Sequence, residues 1–91
     1  MSPAPHALAA SLDLTAAEPL RAAAQESLGL GAAVFDGSAV ERVSTPCLQI
    51  LAATALAARE RGIGFRLTNP SAVLAEAIED LGLSAAMRGE M

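Results

Sequence analysis

Apolar residues at Leu8, Leu12 and Leu14 share one parity of the stretch Ala7 to Leu14, which predicts a strand with a single buried face. Residues 1–6 in front of it read as a disordered tail, and residues 7–91 as one domain. The pattern then changes period. Thr15-Ala16-Ala17-Glu18 fits a capping box, with Thr15 as N-cap and Glu18 reaching back. Leu20, Ala24 and Leu28 follow at helical spacing, and Gly29 and Gly31 stop the helix. Pro19 delays its regular part by a residue or two. Ala32-Ala33-Val34-Phe35 is an unbroken apolar run closed by Asp36-Gly37-Ser38, the pattern of a strand covered on both faces and ended by a polar turn.

Ser44-Thr45-Pro46 opens a long helix that runs to about Arg61, with Pro in the first turn. Leu48, Leu51, Ala52 and Ala55 form one stripe and Ile50, Ala53 and Ala57 another, so packing on more than one side is expected. Arg59-Glu60-Arg61-Gly62 ends it with cations and a glycine cap. Ile63 to Thr68 alternates as a strand. Asn69-Pro70-Ser71 starts a last helix with a buried stripe of Leu74, Ala77, Ile78 and Leu81, and Gly82 stops it. The order β-α-β-α-β-α predicts a single α/β domain, a small and mostly parallel sheet flanked by about three helices.

Composition narrows the function. The formal charge is -4, the six Lys and Arg are all arginine, and two Phe are the whole aromatic complement, so the stacking aromatics and basic patch of a nucleic-acid binder are missing. The lone cysteine, Cys47, makes no internal disulfide and reads as a small buried hydrophobe, which points to a cytoplasmic setting. No charged n-region precedes the first apolar residues, and no apolar run reaches membrane-spanning length. His6 and Cys47 alone are no metal-ligand set, no phosphate-binding loop with its lysine exists, and Glu79 and Asp80 diverge on a helix. Neither an enzyme nor a bound cofactor is expected.

One segment stands out. Between Phe35 and Leu51 a buried strand ends in an acid, and a short loop brings two hydroxyls to a helix N-terminus. Free N–H groups and a partial positive charge favour an anion there, so a phosphate on Thr45 or Ser44 is locally well placed. The plain alternative is that Ser44 or Thr45 simply caps the helix.

The same segment resembles the signature of STAS (anti-sigma factor antagonist) domains, in which a strand ending in an acidic, Ser-containing turn precedes an Asp-Ser-(Ser/Thr)-Gly-Leu motif opening a helix. Val34-Phe35-Asp36 matches the strand and its acid, and Val40 and Val43 the hydrophobic spacers. Ser44 stands on the motif's Asp, Thr45 on the phosphorylatable hydroxyl, Pro46 on the second small residue, Cys47 on the Gly and Leu48 on the Leu. Gly64 to Ser71 resembles the third-strand segment, and Leu74 to Leu83 the last helix. The resemblance implies a bacterial cytoplasmic signalling module that docks on a serine-kinase-like anti-sigma factor or a chemotaxis-type regulator. It implies Thr45, or Ser44, as phosphoacceptor, and a partner face of Asp36, Ser38, Ser44, Thr45, Pro46 and Gln49. Because Ser44 replaces the Asp of phosphoswitching members and Pro46 follows the hydroxyl, the resemblance supports docking more strongly than phosphorylation. The alternative it implies is a constitutive subunit bound to the ATPase of a lipid-trafficking ABC transporter. The high apolar fraction of so short a chain also leaves room for a homodimer.

Overall fold

The computed structural model describes residues 5–83. Five strands and three helices follow in the order β1 (His6–Ala7), β2 (Ser11–Leu12), α1 (Ala17–Gly29), β3 (Ala32–Asp36), β4 (Arg42–Val43), α2 (Thr45–Glu60), β5 (Gly64–Thr68) and α3 (Ala72–Asp80). A 3₁₀ turn, Leu14–Ala16, leads into α1. The main sheet has the order β1-β3-β5 and every pairing in it is parallel; β2 and β4 form a second, parallel pair. The chain therefore crosses over through helices, as the alternation of periods implied.

The central strand decides where the core lies. On β3, Ala33 and Phe35 are fully buried, and β5 sets Phe65 and Leu67 directly beside them. The Phe35 and Phe65 rings sit 6.0 Å apart. Helices α1 and α2 pack on each other and on this face, closing it with Leu20, Ala24 and Leu28 from one and Cys47, Leu48, Leu51 and Ala58 from the other. Leu74 and Ile78 of α3 complete the cluster. The opposite parity stays open: Ala32, Val34 and Asp36 are half-buried, and Gly64 and Arg66 are exposed. So β3 is not covered equally on both sides, as its unbroken apolar run suggested. Small side chains there cost little when left in water.

Several expectations at the N-terminal end are corrected. His6 is not tail: it pairs with Phe35 across β1 and β3, and its ring meets the Phe35 ring edge-on at 5.8 Å. Residues 1–4 of the expected tail lie outside the described residues. The strand expected over Ala7 to Leu14 is two short pieces that belong to different ladders. Leu8 and Leu12 are buried as their parity implied, whereas Leu14 is 72% exposed because the chain has already turned. The turn comes from Asp13, which caps the 3₁₀ segment in place of Thr15; α1 itself starts on Ala16 with no side-chain cap. At the other end Leu81 is the C-cap of α3 and half-exposed, not part of the buried stripe, because the helix stops at Asp80. Gly82, at φ 68°, then reverses the chain so that the Leu83 N–H reaches the Ile78 carbonyl at 2.9 Å. The remainder of the tail, residues 84–91, lies outside the described residues.

Candidate functional site

The loop between β3 and α2 is pinned at both ends by backbone. Gly37 donates its N–H to the Thr68 carbonyl at 2.9 Å and accepts from Ser71 N–H at 3.0 Å, tying the strand end to the turn before α3. A β-carbon at position 37 would lie 2.6 Å from Leu74 Cδ2, so glycine is needed for that close approach. Asp36 folds back on the loop: its Oδ1 accepts the Ser38 N–H at 2.9 Å. That backbone hydrogen bond, with one from the Ser38 hydroxyl, holds the exposed Asp36 carboxyl below the ordinary carboxylate range.

Further along, the Glu41 and Arg42 N–H groups both reach the Ala10 carbonyl, and Ser44 N–H reaches that of Leu12 at 2.7 Å. The short ladder of β2 and β4 thus carries the chain to the start of α2. Ser44, extended at φ -91° and ψ 156°, is the N-cap, and its Oγ accepts the Cys47 N–H at 3.4 Å. Thr45 and Pro46 are the first two helical residues, both exposed. Among the described residues the Thr45 hydroxyl takes no hydrogen bond. Gln49, one turn on, is exposed; Ser38 is exposed, and Ser44 and Asp36 are half-buried. All six residues expected on the face reach the surface at least in part, within the segment of chain from 36 to 49, where Gly37 and Val40 between them are buried.

Sequence reasoning missed the neighbour of this stretch. The Cys47 thiol, fully buried, donates to the Asp13 carbonyl at 3.4 Å and so fixes the 3₁₀ turn against the first turn of α2. The Asp13 carboxylate accepts from Thr15 N–H at 3.0 Å, from the Thr15 hydroxyl, and from Ser11 Oγ at 3.2 Å. These bonds, the Thr15 hydroxyl first among them, hold its carboxyl below the usual range. The available signal was Asp followed two residues later by Thr, an Asx turn competing with the capping box. The Arg42–Val43 strand was missed too, since two residues are too few to show a period.

Two shallow apolar clefts flank these elements. One, of about 140 Å³, is bordered by His6, Leu8, Leu12, Ala16 and Pro19; the other, of about 210 Å³, lies between α1 and α2 with Arg21, Leu28, Ile50 and Ala57. Each carries one titratable side chain, so neither brings an acid and a base together. Among the described residues no group of three or more His, Cys, Asp and Glu could hold a metal ion, and no helix is long and apolar enough to cross a membrane.

The described residues thus form one domain of parallel strands and three helices, with Thr45 and Pro46 exposed at the start of α2. Residues 6–89 match the model described as "Mlab, STAS domain", and the chain belongs to that STAS-domain family. Domains of this family are often regulatory protein-binding modules and are generally non-catalytic. Searches among curated proteins and among solved structures returned no match.

Proposed function

We propose that this domain is a regulatory module that docks on a protein partner through the surface running from Asp36 and Ser38 to Ser44, Thr45, Pro46 and Gln49. The observation that carries the reading is Thr45 itself: an exposed hydroxyl with no hydrogen bond among the described residues, on the first residue of a 16-residue helix. The helix supplies a partial positive charge and free N–H groups at that point, worth roughly 0.3–1 kcal/mol to a nearby anion. A phosphate on Thr45 is then tolerated by the fold, while it adds up to about two negative charges to the docking surface. With an anti-sigma-type kinase as partner, that charge switches docking off by repulsion and desolvation.

The constitutive reading, a subunit on the ATPase of a lipid-trafficking ABC transporter, has specific support. Ser44 fills the place of the motif's acid and serves as the cap, and the family model bears the description Mlab. In that case Thr45 makes contact without being modified.

Affinity purification of the full chain from its source cells, with mass spectrometry of the captured proteins and of residues 44–45, separates the two. A kinase-like regulator and a phosphorylated fraction at Thr45 are expected for the switch. An ABC ATPase and an unmodified Thr45 are expected for the subunit. Thr45→Glu should abolish capture in the first case, and Thr45→Ala should leave it intact. Capture unaffected by both Thr45→Glu and Gln49→Ala removes this surface from the docking reading.

A further inference from the structure

The main sheet ends on β5, whose outer edge faces no strand. The Thr68 carbonyl accepts the Gly37 N–H, so Thr68 turns its backbone toward β3. Backbone groups of successive strand residues point to alternate sides; Arg66 therefore shares that direction, and Phe65 and Leu67 point away from the sheet. Among the described residues the N–H and C=O groups of Phe65 and Leu67 take no hydrogen bond. Nothing blunts this edge: Gly64–Thr68 holds no proline, and its register with β3 runs without a bulge from Gly64 to Thr68. A row of outward donors and acceptors is chemistry that only another extended strand completes.

The residues of β5 suit a second copy of themselves. Ile63, Phe65 and Leu67 are half-buried and share the parity that packs on the core, whereas Gly64 and Arg66 are exposed on the other face. Antiparallel pairing of β5 with itself has to join the outward groups, which leaves few registers. A two-fold axis on Arg66 sets arginine directly opposite arginine. An axis on Leu67 draws in Asn69, at φ 48°, and one on Gly64 draws in Gly62, at φ 68°; neither backbone is extended. An axis on Phe65 has none of these faults. It sets Phe65 opposite Phe65, Leu67 opposite Ile63, and Arg66 opposite Gly64, which has no side chain to oppose it. The two arginines are then only diagonal neighbours, and Asp36, beside Thr68 on β3, is an acid on the same face of each copy. We propose that two copies of this chain pair through β5 in the register centred on Phe65, joining their main sheets into one. The pairing is independent of the docking reading at α2.

The test is sedimentation velocity of the full chain from about 10 μM to about 1 mM, the range that suits an interface this short. A reversible monomer–dimer equilibrium is expected. Gly64 supplies the variants: a β-carbon there meets nothing within 4 Å, and its φ is not positive, so the monomer accepts a side chain. Gly64→Glu puts an acid opposite Arg66 of the second copy and should tighten the dimer about threefold or more; Gly64→Arg should weaken it by a similar factor, and adding Arg66→Glu to Gly64→Arg should restore it. Amide exchange by NMR gives the second readout. The Phe65 and Leu67 N–H groups should exchange quickly in dilute protein and slow about tenfold or more when it is concentrated, while the Arg66 and Thr68 N–H groups stay protected in both. A monomer over the whole range overturns the pairing. So does a dimer indifferent to charge at position 64, which uses another face. Phe65 and Leu67 amides equally protected in dilute protein overturn it too, since the edge is then covered within one chain.

Discussion

Replacing Gly37 by alanine tests how the candidate surface is tied to the core. Gly37 has no positive φ, so alanine is free to adopt its backbone conformation, and entropy lost from the unfolded chain favours the variant by about 0.4–1 kcal/mol. Space opposes it. The added methyl carbon would sit 2.6 Å from Leu74 Cδ2, 3.3 Å from Pro70 Cα and 3.6 Å from Leu67 Cδ1. Leu74 is fully buried, and Pro70 is met through its backbone, so neither yields freely. Overpacking of this kind costs about 1–3 kcal/mol, which leaves a net loss on the order of 1–2 kcal/mol after the entropic gain. For a domain of this size each kcal/mol lowers Tm by about 4–8 °C. The chain has no Trp or Tyr, so urea unfolding should be followed by far-UV circular dichroism, where the helices report.

A double-mutant cycle makes the cause visible. Leu74→Ala alone should cost about 2–5 kcal/mol through its cavity. In that background the clashing Cδ2 is gone and the alanine methyl enters vacated space. Gly37→Ala should then cost less than about 0.5 kcal/mol, giving a coupling of about 1–2 kcal/mol. Equal cost in both backgrounds would refute the steric argument. It would place the effect instead in the two backbone hydrogen bonds that Gly37 makes with Thr68 and Ser71.

Other outcomes follow from the same geometry. Ser44→Ala removes the cap of α2; because the Cys47 N–H sits 3.4 Å from Ser44 Oγ, the loss should fall near the low end of the usual cap range, about 0.5–1 kcal/mol by urea unfolding. Asp13 and Asp36 both titrate below their ordinary value of 3.8 in the folded protein. Their contribution to stability is therefore complete above that value and is lost as pH falls through the lower folded values; Asp13→Asn should flatten the acid limb of the stability curve. Cys47, with no exposed surface, should resist a thiol reagent in the native protein and react as one equivalent in urea, whereas native labelling as fast as unfolded labelling contradicts its burial.

The helices were legible because each has a long run of periodic positions and a clear stop. Leu20, Ala24 and Leu28 are buried, α2 starts at Thr45, and α3 carries Leu74 and Ile78 inward. The strand Ala32–Asp36 was legible as an element but not in its coverage, since alanine and valine do not tell a buried face from a half-covered one. The region from His6 to Ala16 was misread for a physical reason. Two ladders of two residues each, followed by a single 3₁₀ turn, leave no stretch long enough for a period to register. There local hydrogen bonds decide the path. Asp13 captures the Thr15 N–H before Thr15 is able to act as a cap, and Leu14 is carried outward as a result. The segment that carries the candidate surface stood out in the strand-loop-helix pattern and its six residues were named through the resemblance to STAS domains, but the contact of the α2 start with Asp13 through Cys47 goes with a parallel β2–β4 pairing across 31 positions of chain, from Ser11 to Arg42.

That pairing also explains how a surface at α2 can change without the fold paying for it. The helix is anchored from its third residue onward: Cys47, Leu48 and Leu51 are buried, and the Cys47 thiol bonds a carbonyl on a different element. The cap belongs to Ser44, whose own N–H is held by Leu12. Thr45 and Pro46 lie between cap and anchor, contributing neither to the cap nor to the buried stripe, and Pro46 has no N–H to satisfy in the first turn. A change of charge at Thr45 is thus felt by whatever sits on the surface far more than by the core beneath it. Thr45→Glu is the direct measure of this separation: it should leave Tm unchanged or raise it slightly through the helix dipole, by an amount worth about 0.3–1 kcal/mol. A drop of Tm in Thr45→Glu larger than that of Ser44→Ala would mean that Thr45 is structural and that its surface is not free to carry a signal.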